Sequence, residues 1–180
     1  MSFSFLFYIS FLISLKFSFF SCLILIGGHT IGRASCLAIG YRLYDYGVIP
    51  NVPDPTLDPT LAKVLGKICP EHGDERVLTD LDPLTPNLFD NKFFANIHEG
   101  RGIVQSDQVL YSTPDAETVS LVNKFLANET AFFESFVVAM IKMANISVLT
   151  GTEGEIRLNC HRVNGDQISK ESSEGSFLAE

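Results

Sequence analysis

The chain changes character at Gly27-Gly28, and that change limits what it can fold into. Before it, residues 1–26 are a run of Phe, Leu, Ile and Ser with Lys16 as the one charge. Seven of the 15 phenylalanines fall between Phe3 and Phe20, so the apolar bias of the composition (46% hydrophobic, 19% charged) is local. After it the chain has the punctuated, mixed character of a globular domain. At 180 residues it is long enough for one ordinary core.

Three readings compete for the leading run. As a secretory signal it lacks a basic n-region, and a cut near Ser21-Cys22 would leave the mature chain starting almost at His29. As an anchor it is long enough to span a bilayer. As translated T-rich DNA, from an intron or a truncated gene model, it would carry the same composition. The formal net charge of −8 argues against nucleic acid or an anionic membrane surface as partner, because both need basic patches. Four cysteines, Cys22, Cys36, Cys69 and Cys160, allow three pairings, and spacing does not choose among them. No pair has zinc-site spacing. Two acceptor sequons, Asn128-Glu129-Thr130 and Asn145-Ile146-Ser147, are compatible with secretion.

Helical periodicity dominates beyond Gly28. Leu37, Tyr41 and Tyr44 recur at helical spacing, which predicts a core-facing stripe with Arg33 and Arg42 on the polar side. Residues 47–59 are a Pro-rich loop. Asp58-Pro59 then opens a short helix over 60–65, by an N-cap and a proline in the first turn, and Gly66 ends it. Phe89, Phe93 and Ile97 predict a helix that stops near Gly100, with His98 beside its C-terminus. Two more helices are expected over 120–127 and 130–144. In the second, Phe133, Phe136, Val137, Met140, Ile141 and Ala144 make one apolar face, Thr130 is the N-cap candidate, and Met140 and Met143 read as core filler. A turn at 150–154 and a polar tail from Asn164 complete the chain. There is no internal repeat and little strand signal. The fold class is mostly α with long ordered loops.

Few residues carry chemistry. Residues 79–90 hold Asp80, Asp82, Thr85 and Asp90 on a non-helical segment, a donor set that suits a hard cation such as Ca²⁺. The spacing is not that of an EF-hand, and taken alone Asp90 reads rather as a helix cap and the others as solvated. His29 after two glycines reads as a loop histidine, His72 as a solvated turn residue, and Asp107 as a cap.

Several motifs taken together change that reading. Gly27-Gly28-His29-Thr30-Ile31-Gly32-Arg33-Ala34-Ser35-Cys36 resembles the proximal-histidine segment of the secretory plant haem peroxidases, the class III group. Asp82-Pro83-Leu84-Thr85-Pro86-Asn87-Leu88-Phe89-Asp90-Asn91 is similar to that family's proximal calcium loop. Gly102-Ile103-Val104-Gln105-Ser106-Asp107-Gln108 looks like its segment containing a conserved Asp. The stretch from Phe133 through Arg157 resembles its C-terminal helix and turn. The resemblance covers residues 27–164, in order.

The resemblance implies a haem-peroxidase-like helical fold, of which 27–164 would be the proximal half-domain, with an apolar segment 1–26 before it and a polar tail 165–180 after it. His29 would be the axial ligand of haem b iron, and Asp107 would accept a hydrogen bond from its other ring nitrogen. Thr30, Asp82, Thr85, Asp90 and the carbonyl of Leu88 would bind Ca²⁺. Cys36 and Cys69 would form a disulfide. The implied activity is oxidation of phenolic-type donors by hydrogen peroxide, by a monomer secreted to the cell wall or carried to the vacuole, with no nucleic acid partner. A membrane partner is implied only if residues 1–26 are a real anchor. The family's distal Arg and His have no counterpart in this sequence, so no catalytic residue is assigned. Weak haem retention and inefficient O–O cleavage are expected, with a non-catalytic, membrane-tethered fragment as the alternative.

Overall fold

Burial of phenylalanine organises the larger of two apolar clusters. The computed structural model describes residues 19–114 and 117–165. Among these, seven α-helices carry the fold: α1 (Phe19–Ile26), α2 (Cys36–Leu43), α3 (Pro59–Ile68), α4 (Lys92–His98), α5 (Gln105–Ser112), α6 (Glu117–Ala127) and α7 (Glu129–Ala144). Leu23 of α1, Phe93, Phe94 and Ile97 of α4, Leu110 of α5, Val122 and Phe125 of α6, and Phe132 of α7 form that cluster. The second gathers Ala34, Cys36, Ile39, Leu43, Leu57, Leu65, Cys69 and Ile103 around α2 and α3. A 3-10 turn, Gly27–Thr30, carries the chain from the first cluster to the second.

The mostly α expectation holds. Two strands were not signalled: β1 (Arg33–Ser35) pairs antiparallel with β2 (Leu78–Asp80), Ala34 opposite Thr79. Three residues are too few for a two-residue alternation to register. Among the described residues no helix is long and apolar enough to cross a membrane.

The chain divides into two units, Met1–Ile146 and Ser147–Glu180. Residues 19–26 of the leading run form α1, with Cys22 and Leu23 buried. Residues 1–18, and the tail from 166, lie outside the described residues. The described part of the second unit, residues 147–165, is exposed throughout and has neither helix nor strand. Local bonds hold it, such as Asn164 Nδ2 donating to the Ile156 carbonyl at 2.9 Å.

Several local expectations need correction. The buried face of α2 is Cys36, Ile39, Arg42 and Leu43, while Leu37 is 65% exposed. A disulfide from Cys36 and an ion pair from Arg42 pin that face inward, so the inferred stripe is rotated and Arg42 is not on the polar side. Of the two tyrosines, Tyr44 is half-buried and donates to the Cys69 carbonyl at 2.8 Å, and Tyr41 is exposed. Helix α3 runs through Gly66 to Ile68, because an interior glycine costs only about 1 kcal/mol and Leu65 is buried beside it. Its N-cap is as expected, with Asp58 Oδ1 accepting from Leu61 N at 2.8 Å. The N-cap of α7 is Asn128, whose Oδ1 accepts from Ala131 N at 2.9 Å, rather than Thr130. The inner face of α7 is Phe132 and Ala139, with Val137, Met140, Ile141 and Met143 exposed. That helix is apolar on nearly every side, so periodicity does not locate the face that packs. Phe89 precedes α4 and stacks on Phe132 and Phe133 instead of continuing the α4 stripe.

Cys36 and Cys69 are joined, with Cα atoms 5.3 Å apart and 33 positions between them in sequence. A loop of that length corresponds to about 3–4 kcal/mol of chain-entropy stabilisation. Cys22 (buried) and Cys160 (exposed) are free thiols.

Gly27 packs against the first cluster so closely that a Cβ there would sit 2.7 Å from Phe132 Cε2 and 3.0 Å from Phe94 Cζ. Neither ring has room to retreat, since both lie in the core. Gly27→Ala should lower unfolding stability by about 1–3 kcal/mol, read from urea denaturation midpoints. An unchanged midpoint would contradict this packing.

Candidate functional site

The turn that ends α1 places His29 and Thr30 side by side but facing different partners. His29 Nδ1 lies 3.0 Å from Asp107 Oδ1 and 3.1 Å from Asp107 Oδ2. Asp107 is in the first turn of α5 and is 1% exposed, whereas the His29 side chain is 42% exposed. A buried carboxylate facing Nδ1 selects the tautomer that carries its proton there and donates it. The lone pair is then on Nε2, which has no hydrogen-bond partner among the described residues. The edge of Phe93 flanks the ring at 6.4 Å.

Both groups are shifted from their ordinary titration. The Asp107 carboxylate raises the His29 pKa above the ordinary histidine value, against the effect of burial. Burial raises the Asp107 pKa, opposed by His29, Arg42 and Ser106.

On the other side of the turn, Thr30 is fully buried among oxygens. Its Oγ1 lies 3.5 Å from Asp82 Oδ2, 3.5 Å from the Leu88 carbonyl and 3.2 Å from Asp90 Oδ1. Thr85 Oγ1 is 3.4 Å from Asp82 Oδ2. One hydroxyl proton cannot serve three acceptors, and these separations exceed the usual 2.7–2.8 Å of an O–H···O bond. They match instead the spacing of neighbouring oxygens around a cation bound at about 2.4 Å, which is about 3.4 Å for right-angle ligands. Two carboxylates, two hydroxyls and a carbonyl are hard donors, so the residues fit Ca²⁺ better than a transition metal. Among the described residues no group of three or more His, Cys, Asp and Glu side chains is gathered as a metal-ion site would need.

Of the loop residues singled out in the sequence, Asp82, Leu88 and Asp90 meet Thr30, Thr85 joins them through Asp82, and Asp80 does not. Asp80 pairs with Arg33 across the two strands at 3.0 Å. The remaining histidines stand elsewhere: His72 is exposed beside Glu71, His98 packs on the Tyr111 ring, and His161 is an exposed residue of the second unit.

Sequence reasoning missed the residues that hold this arrangement. Asn96 of α4, 1% exposed, donates from Nδ2 to Asp82 Oδ1 at 2.7 Å, alongside Leu84 N at 2.8 Å and Thr85 N at 3.1 Å. Gln108 ties Gly102 N to the Ile97 carbonyl, at 2.9 Å each. Arg42 and Asp54 form a fully buried ion pair. A polar residue on an amphipathic helix reads as solvent-facing, so only the spacing of Asn96 three residues after Phe93 and one before Ile97 could have placed it inward.

Similar proteins carry one family description. The peroxidase family model matches residues 9–128, beginning upstream of Gly27. Peroxidase 15 of Ipomoea batatas is 53% identical over 138 residues, covering 77% of this chain and 42% of that protein. Peroxidase 23 of Arabidopsis thaliana is 49% identical over 138 residues, covering 77% and 39%. A peroxidase of Armoracia rusticana is 46% identical over 143 residues, covering 79% and 43%. The chain thus spans about two-fifths of the length of these curated relatives.

Removing the Asn96 amide leaves Asp82 buried with one donor fewer. Asn96→Ala should cost about 1–3 kcal/mol of stability in calcium-free buffer, measured by thermal or urea unfolding. Wild-type stability in the variant would show that this bond does not hold the loop.

Proposed function

The chain belongs to the peroxidase family, in its plant class III branch, and we propose on that premise that residues 19–146 form the proximal, iron-holding side of a haem peroxidase site. The observation that carries the reading is the buried Asp107 carboxylate against His29 Nδ1, with Nε2 left unpartnered. Bound haem supplies the iron redox chemistry that couples peroxide reduction to oxidation of small phenolic donors. The residues do the rest. Asp107 fixes the tautomer, so that the Nε2 lone pair is the one offered to iron. Its negative charge makes the imidazole a stronger donor, which favours the oxidised metal.

In this reading Thr30, Asp82, Thr85, Asp90 and the Leu88 carbonyl hold one Ca²⁺. The ion would neutralise Asp82 and Asp90 and fix Thr30, and through the shared backbone it would brace His29. A calcium-free loop has to keep two carboxylates near one hydroxyl with hydrogen bonds alone to offset their charge. The Cys36–Cys69 disulfide suits an oxidising compartment, which supports export to the cell wall or delivery to the vacuole. Hydrogen peroxide and small aromatic donors are the proposed substrates of the family activity.

Hemin titration followed by the Soret band tests the ligand. His29→Ala should abolish the band of a histidine-bound ferric haem, and Asp107→Asn should weaken hemin binding about 10- to 100-fold. Hemin binding unaltered in both variants would exclude His29 as the ligand. Calorimetric titration tests the loop: Ca²⁺ should bind the wild-type chain, and Asp90→Ala should weaken that binding at least about tenfold. Equal Ca²⁺ binding by the wild-type and Asp90→Ala proteins would place the ion elsewhere.

A further inference from the structure

We propose that Arg42, held by Asp54, is the positioning residue that sets Asp107 against His29. The inference rests on the proximal-histidine reading above and names what enforces it.

Asp107 can meet His29 only if α5 starts at one place and in one direction. At the helix end itself the Gln105 side chain accepts from Tyr41 Oη and donates to Tyr46 Oη, both at 3.0 Å, but no side chain caps the first turn. The N-cap position is Val104, which has no capping side chain. The preceding residues are instead gripped from outside. Arg42 Nη1 donates to the Gly102 carbonyl at 2.6 Å and to the Ile103 carbonyl at 2.7 Å, and its Nε donates to Asp54 Oδ2 at 2.7 Å. Both ion-pair partners are fully buried.

Asp54 is in turn over-determined. Its Oδ1 accepts from Thr56 N at 2.8 Å and Thr56 Oγ1 at 2.7 Å, and its backbone N–H donates to the Arg42 carbonyl at 2.7 Å. Arg42 and Asp54 are thus tied twice, by side chains and by backbone. On the opposite side Gln108 receives Gly102 N. A Cβ on Gly102 would stand 2.9 Å from that Gln108 oxygen and 3.1 Å from the Gln108 Cα and N, so a larger residue there would press on the Gln108 clamp.

Stability alone is a poor reason for such a pair. Burying two charges is costly, and well-packed apolar residues often serve a core as well or better. One donor, Arg42 Nη2, is even left without a partner among the described residues. What an apolar residue could not do is hold two successive carbonyls in a set direction, and those carbonyls belong to the segment that leads into Asp107. A planar fork with several fixed donors does this, and an ammonium group does not.

The test reads the His29 tautomer by histidine-selective ¹H–¹⁵N NMR on the full chain, with the His29 signal identified by its loss in His29→Gln. Wild type should show the Nδ1–H tautomer. Arg42→Lys and Asp54→Asn should unfold cooperatively yet show a mixture of tautomers, and their hemin affinity should fall about 10- to 100-fold. Thr56→Val, which loosens only Asp54, should give a smaller shift in the same direction. A cooperatively folded Arg42→Lys or Asp54→Asn protein that keeps the wild-type tautomer would overturn the proposal. Loss of cooperative folding in all three variants would assign Arg42 to global stability and overturn it equally. Wild type lacking the Nδ1–H tautomer would instead overturn the proximal-histidine reading itself.

Discussion

One hydrogen-bonded contact, His29 Nδ1 with the Asp107 carboxylate, spans 78 positions of sequence and depends on nearly every packed element of the first unit. His29 comes from the turn after α1, whose residue Leu23 joins α4, α5, α6 and α7 in one apolar cluster. Asp107 comes from the start of α5, and Gly102 ahead of that helix is held at its carbonyl by Arg42 and at its N–H by Gln108 of the same helix. A buried carboxylate is costly unless its partners are in place. The contact is thus both a result of the packing and a constraint on it: were α5 displaced, an unpaired charge would remain buried.

The donors on the two sides of the turn differ in kind. His29 offers a ring nitrogen, the type suited to iron, while Thr30 faces carboxylate, hydroxyl and carbonyl oxygens, the type suited to a hard cation. In the proposed site, neighbouring residues with different preferences would keep the two ions apart without a separating layer of structure. The loop oxygens reach Thr30 because Asn96 and two backbone amides together hold Asp82 Oδ1, leaving Oδ2 turned toward the two threonine hydroxyls.

Local chemistry was legible in the sequence and long-range polar pairing was not. The Asp58 cap depends on three consecutive residues and is read directly. The proposed role of His29 and the grouping of Asp82, Thr85 and Asp90 came from resemblance, because their spacing alone favoured solvated loops and caps. Arg42 was misplaced for a physical reason: its partner Asp54 lies 12 positions on, inside a Pro-rich loop with no periodicity to signal direction. On α7, a surplus of apolar residues hid which side packs, and the exposed Val137 and Ile141 are the cost of reading amphipathicity where there is little. The change in composition at Gly27 falls where α1 ends. A run too apolar for a surface helix suits α1, whose Cys22 and Leu23 are buried.

The four-residue turn Gly27–Thr30 explains why these separate features act as one. Three of its residues are fixed from different directions. Gly27 is pressed against Phe132 and Phe94, His29 is held by Asp107, and Thr30 is enclosed by the loop oxygens. A turn this short has few free dihedrals, and three anchors leave little slack among them. A shift at Thr30 must therefore appear as rotation of the His29 ring or as a clash at Gly27. Movement of the oxygen-rich loop, repacking of the phenylalanine cluster and displacement of α5 all converge on the direction of the Nε2 lone pair. The direction of that nitrogen is consequently set by the whole first unit rather than by the residues that touch it.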